Sequence, residues 1–377
     1  PKALGERVPR GFPLVLQDGE EERYSEGSGR LQLATDIANH PITARVIVNR
    51  VWAWHMGAGI VRTPSNFGIM GDRPTNPELL EFLASDFIEN GQSIKRLHKQ
   101  IMLSSVYQLA ADDNPRFADI DPDNHYFWRF NRQRLTAEGI RDGLLHVSGE
   151  LDPKVGGESL LLEDEKNDRR TLYGEVSRFQ VNEYLQTFDF PNPSLTAERR
   201  FSTNVPLQSL YFMNSDFVHR QAESFVRRLG ELTSGSEDGD EASDGDEADA
   251  DDGAGSRTSA KASSDDDEEE EKVYADNEMP EVFDDRAMIE AAYPILYARE
   301  VTDAEAGLGG EFLAQQREAY LEAELARIVA DEDEDEDGGS DPTAEELREL
   351  AERRASMKAW VQYSRALFSA AEFRFIS

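Results

Sequence analysis

Along most of this chain, apolar residues recur at the three- and four-residue spacing of helices that bury one face. In "PITARVIVNRVWAWHMGAG" the stripe is Ala44, Ile47, Val48, Val51, Trp54 and His55, which predicts a helix that turns Trp54 inward. "TNPELLEFLASDFIENG" is punctuated at both ends. Asn76 suits the N-cap, Pro77 the first helical position and Gly91 the left-handed residue past the end. Ser93 then caps a helix with Ile94, Leu97, Ile101 and Ser105 on one face. "RLTAEGIRDGLLHVSG" directs Ala137, Ile140, Leu144 and Val147 inward, and "VPLQSLYFMNSDFVHRQAESFVRRL" reads as helix again. Thr302 with Glu305, and Thr343 with Glu346, have capping-box spacing, and helices are expected over 282–300, 303–330 and 343–371.

Between 150 and 200 the pattern changes. "ESLLLE" and "RRTLYGEVSRF" read as short strands, the material for a hairpin beside the helices. The expected fold class is mainly α: a multi-helix globular domain with a small β-hairpin element and acidic disordered insertions. Residues 1–30, rich in Pro and Gly, read as an extended lead-in from an absent upstream domain. The helical domain has its first part at 31–230 and its C-terminal helices at 281–377. An acidic insertion falls at 231–280 and an acidic loop at 331–341, both short of the apolar residues that ordering would need. Trp360, Phe368 and Phe373 are expected to pack on the N-terminal part, making one cooperative body.

Composition sharpens the picture in three ways. The formal charge is −36 over 377 residues, and 231–272 with 331–337 supply −22 of it. An acidic remainder argues against nucleic acid and anionic lipid as direct partners. There is no cysteine, which removes disulfides, thiolate chemistry, iron–sulfur clusters and covalently attached haem. No apolar run approaches the roughly 18 residues of a membrane span. The six histidines lack any spacing that sets out a metal site. The expectation is therefore that this chain binds neither haem nor a transition metal tightly.

The densest chemistry lies in "NRVWAWHMGAGIVRTPSNFGIMGDRPTNPELL" (49–80). Its glycines form neither GxGxxG nor GxxxxGK, so no phosphate cradle is indicated. Arg50 is flanked on its helix by small or moderate residues, and His55 ends that helix, where an imidazole complements the dipole or serves as a general base. Arg134, Glu138 and Arg141 are spaced as one helical stripe, with Asp142 beside it; Arg129 and Arg132 lie upstream, and Arg199 and Arg200 follow later. Arg50, His55, Arg134, Glu138, Arg141, Asp142 and Arg200 are thus the candidate binding or ion-pair cluster. Arg50 is expected to be buried and held by Glu138 or Asp142.

"HPITARVIVNRVWAWHMGAGIVRTPSNFG", "HYFWRFNRQRLTAEGIRDGLLHVSGELD", "RRFSTNVPLQSLYFMNSDFV" and "ALFSAAEFRFI" together resemble a planctomycete domain of unknown function at the C-terminus of large cytochrome-c-like proteins. The likeness is close over about 30–230 and looser over 281–377. It implies export to the periplasm or beyond, a partner domain upstream in the same polypeptide, and haem only in a region further upstream. It implies no reaction and no catalytic residues. Relatives often carry cysteine before "RRFST" and near the last helix, and this chain has none. The resulting expectation is a non-catalytic interaction or scaffold module, its partners the upstream domain, a polysaccharide or an envelope protein. The alternative is a hydrolase or redox-coupled enzyme acting on extracellular polysaccharide, with Arg50, His55, Arg134, Glu138 and Arg141 lining its cleft. Metal storage by the acidic tracts is weaker, since flexible carboxylate runs bind calcium loosely.

Overall fold

A computed structural model of the chain describes residues 8–17, 23–164, 167–234, 279–332 and 343–376. Two compact units share these residues, each with its own apolar core. The first comprises residues up to Arg134 with Ser194–Phe201 and the C-terminal Phe375 and Ile376; the second comprises Leu135–Pro193 and Ser202–Arg374. The fold is mainly helical, as expected, with one two-stranded antiparallel sheet. No described helix is long and apolar enough to cross a membrane.

The first unit is built on α1 (Arg30–Asn39), α2 (Pro41–Met56), α3 (Pro77–Glu89) and α4 (Ile94–Met102), with the single turn α5 (Pro115–Ala118) and strand β1 (Gln133–Arg134) beyond. Helices α2, α3 and α4 pack on one another. The expected punctuation is present. Asn76 accepts from the Leu79 amide, Ser93 from that of Arg96, and Gly91 takes φ +71°. Helix α4 ends at Met102, so Ser105 lies beyond it. The buried stripe of α2 is Ala44, Val48, Val51, Trp52 and Met56, with Trp54 70% exposed. Ala44, Val48 and Val51 are buried as expected, and the stripe departs from the expected one toward its end, where Trp52 rather than Trp54 packs edge-on against Phe127, 5.5 Å between ring centroids.

The second unit holds α6 (Ala137–Ser148), α7 (Glu183–Thr187), α8 (Pro206–Asn214), α9 (Asp216–Ser234), α10 (Asp285–Tyr297), α11 (Asp303–Glu332), α12 (Ala344–Ser369) and the short α13 (Ala371–Arg374). The stretch expected as one helix over 205–229 is broken at Ser215 into α8 and α9. Ala137, Ile140, Leu144 and Val147 are buried as expected, and Trp360, Phe368 and Phe373 join them in one core. Both capping boxes form, Thr343 with Glu346 and Thr302 with Glu305. Helices α11 and α12 are tied by Lys358 to Glu324 at 2.7 Å, both nearly dry. Arg317 and the Trp360 indole meet on Asp285, linking α10 to the same pair. Strand β2 (Phe375–Ile376) returns to the first unit and pairs with β1, Gln133 opposite Ile376.

The hairpin expected over 158–179 does not form. That segment contributes two isolated parallel bridges, Asp152 to Arg169 and Leu160 to Gly174, and a 3-10 turn at Thr171–Tyr173. The cause is visible on α6, where Arg141 and Asp142 take the backbone groups a strand partner would use. Residues 231–234 complete α9, and Met279 is buried in the core, so the tract expected at 231–280 narrows. The rest of it lies outside the described residues, as does most of the loop expected at 331–341; residues 331 and 332 end α11.

Two predictions follow from the second unit. Lys358→Met strands Glu324 in the core and should lower stability by about 3–5 kcal/mol in urea titration, as loss of one partner of a buried pair does. Arg299 grips both Glu305 and Glu372. The Arg299 guanidinium, then Thr302, holds the Glu305 carboxyl down to about 2 from its ordinary 4.5. The folded value lies below the unfolded one, so this stabilisation is complete above pH 4.5 and lost as pH falls toward 2. Glu305→Gln should therefore lower the urea midpoint at pH 6, with the gap to wild type narrowing by pH 3.

Candidate functional site

The corner after α2 is held by Asn49, a fully buried residue one position before Arg50. Its side-chain amide donates to the Val61 carbonyl at 3.0 Å and accepts from the Val61 N–H at 2.7 Å. Gly57 closes the helix at φ +77°. At Gly59 a Cβ would meet the Val61 carbonyl at 2.5 Å and the Asn49 amide at 2.8 Å, so only glycine fits. The last carbonyls of α2 would otherwise be left open. Gln133 donates to that of His55 and Asn131 to that of Met56. The stretches around 49–61 and 124–133 thereby lock together.

Asp121 and Asn124 shape the next wall. Asp121 accepts from the His125 and Tyr126 amides, and its carbonyl takes the Trp128 indole N–H. Burial pushes the Asp121 carboxyl up, but those two amides, aided by His125 and Arg62, outweigh it and leave it below the usual range. Asn124, at φ +51°, accepts from the Trp128 amide and donates to the Arg129 carbonyl. Arg62 donates to the Asn124 carbonyl and lies over the Phe127 ring.

These supports enclose a cavity of about 350 Å³ between α2, α3, α4 and the 125–127 loop. Its wall is mostly apolar, with Trp52, Ile60, Leu83, Ile101 and Phe127 inside and the exposed rings of Phe82 and Tyr126 on its border. Two residues of that lining each keep a buried polar atom with no hydrogen-bond partner among the described residues: the Trp52 indole N–H and the Gln100 side-chain carbonyl. One can only donate and the other only accept. A volume of this size, apolar with a few polar groups, is that of a small-ligand site.

The residues proposed from sequence fall differently. Arg50 is exposed on α2, and no ion pair of its guanidinium is found among the described residues. The expectation that it is buried against Glu138 or Asp142 is corrected: the buried polar residue of that turn is Asn49. Arg134 lies in β1, before the Thr136 cap that starts α6, so it does not extend a helical ladder with Glu138 and Arg141. Arg200 is exposed in the first unit. Glu138, Arg141 and Asp142 belong to the second. Arg141, 3% exposed, donates to the carbonyls of Asn167 and Arg169 and lies over the Phe217 ring. Asp142 accepts from the Thr171 amide and hydroxyl. These two grip a backbone segment.

His55 was singled out, and the structure gives it a partner that spacing did not reveal. Its Nε2 lies 2.6 Å from Nδ1 of His98, with the rings near perpendicular. Tyr107 sits edge-on to His55, 5.5 Å away. Burial, and then His98, hold the His55 imidazole below its ordinary value. Among the described residues no three histidine or carboxylate side chains gather as a metal cluster.

Sequence reasoning missed Asn49, Gln100, Asp121 and Asn124, since a lone amide or carboxylate in a helix or turn carries no motif. Asn49→Ala should destabilise the protein by about 3 kcal/mol, because both polar groups of Val61 lose their buried partner. Arg50→Ala should stay within about 0.5 kcal/mol. Urea titration of the two variants checks the contrast.

A family model described as PSD1, a protein of unknown function (DUF1553), matches residues 29–313. The chain belongs to that family. No curated protein and no solved structure matches it.

Proposed function

We propose that this chain, as a member of the PSD1 family, is a recognition module without catalysis of its own. On this reading the cavity beside Trp52 takes an apolar side chain next to an amide on a partner polypeptide. The observation that carries it is the mostly apolar cavity itself, two of whose lining residues, Trp52 and Gln100, each keep a buried polar atom without a hydrogen-bond partner among the described residues. An amide presents the matching acceptor and donor on neighbouring atoms, and a buried polar group left unmet is costly. The supports around the cavity fix it before anything binds, which lowers the ordering cost of association. Arg141, which the enzyme alternative placed in its cleft, already serves a backbone segment.

The sequence resemblance supports placing the partner in an upstream domain of the same polypeptide, outside the cytoplasm, with any haem held by that other region. The acidic charge supports a protein partner over nucleic acid.

The test uses N-acetyl-phenylalaninamide as a minimal probe. Titration into the ¹⁵N-labelled chain should shift one indole N–H signal, assigned to Trp52 by its loss in Trp52→Phe. Toluene, which lacks the amide, should bind about tenfold more weakly, the worth of roughly 1.4 kcal/mol. Leu83→Trp should fill the cavity and abolish both shifts. An indole signal unmoved at millimolar probe, or equal binding of toluene, would overturn the reading.

A further inference from the structure

We infer that His55 and His98 form a two-imidazole site for a late first-row divalent transition ion. The two ring nitrogens converge to 2.6 Å although the residues are 43 apart in sequence. Each imidazole rides on a different helix, α2 or α4, and both helices are fixed. The main chain at the end of α2 is capped by Gln133 and Asn131, and Leu97 and Ile101, flanking His98, are buried. Tyr107 stands edge-on against the His55 ring and itself packs on Phe130, which restricts how that ring can turn. Both histidines are half-buried, so solvent reaches the pair.

A single ion bonded to both nitrogens at about 2.0–2.1 Å would hold them roughly 3 Å apart. The nitrogens therefore need to move apart by about half an ångström, and the rings to turn so that both lone pairs meet at the ion. In the neutral pair the proton between the two nitrogens moves to the other nitrogen of its own ring, so that both facing nitrogens present lone pairs to the metal. Neutral imidazole is the ligating form. With no third histidine or carboxylate in the cluster among the described residues, water completes the coordination. Two nitrogen donors without a carboxylate favour copper(II), nickel(II) and zinc(II) and give magnesium and calcium no purchase. This departs from the expectation of no transition metal, which rested on spacing within single helices. The contact between α2 and α4 makes the pair.

The untagged full chain is titrated with copper(II), nickel(II) or zinc(II) alone by calorimetry, in millimolar calcium to occupy the acidic tracts. One equivalent should bind, tightest for copper, with magnesium inert. His55→Asn and His98→Asn should each weaken binding at least tenfold, while His125→Asn and His146→Asn leave it unchanged. Nitrogen hyperfine structure in the copper(II) spin-resonance spectrum should be present in wild type and reduced in both site variants. Unchanged melting temperatures of the metal-free variants separate site loss from unfolding. Binding that survives both substitutions, or that calcium abolishes, would overturn the inference. Absence of binding at micromolar metal would overturn it as well, leaving the pair a hydrogen bond between two helices.

Discussion

In the first unit, the side-chain amide of Asn49 stands where a neighbouring strand would be. It offers Val61 one donor and one acceptor, as a peptide group does, and so turns the chain back immediately after α2. The loop between them has no room to spare, which Gly57 and Gly59 accommodate by left-handed backbone and missing Cβ. Once that return is made, Ile60 and Val61 are buried with Trp52 and Met56, and the end of α2 is presented to Gln133 and Asn131. The position of Trp52, and with it the cavity, depends on this pairing.

The second unit solves a similar problem with charge. Segment 167–171 has only an isolated bridge beside it, the Asp152 N–H on the Asp168 carbonyl, and α6 supplies Arg141 and Asp142 for the carbonyls of Asn167 and Arg169 and the amide of Thr171. Burying a guanidinium is costly unless its donors are met. Carbonyls meet them here, with the Phe217 ring against one face. Elsewhere in the unit Lys358 with Glu324, and Arg317 with Asp285, register the helices by paired charge.

Both features bear on function in the same direction. Of the polar residues that look most chemical in the sequence, Arg141 and Asp142 are spent on backbone, whereas Trp52 and Gln100 of the cavity lining each keep a buried polar atom without a hydrogen-bond partner among the described residues. The proposed recognition of an apolar, amide-bearing group would draw on those two residues. The His55–His98 pair lies on the same two helices and uses different side chains, so each can be removed without the other.

What the sequence by itself determined are features written in neighbours: the helices and their caps at Asn76, Ser93, Thr302 and Thr343, the inward face of α6, and the mainly helical class. Capping and amphipathic periodicity act within a few residues, so they are legible in one dimension. The tertiary structure alone decided that Trp52 and not Trp54 is buried, that Asn49 and not Arg50 holds the corner, and that no hairpin forms near 160. It also brought His98 to His55 and Gln100 to the wall that Trp52 lines. Each of these turns on which distant backbone or side chain meets a polar group, and hydrogen-bond satisfaction between segments dozens of residues apart leaves no periodic trace in the chain.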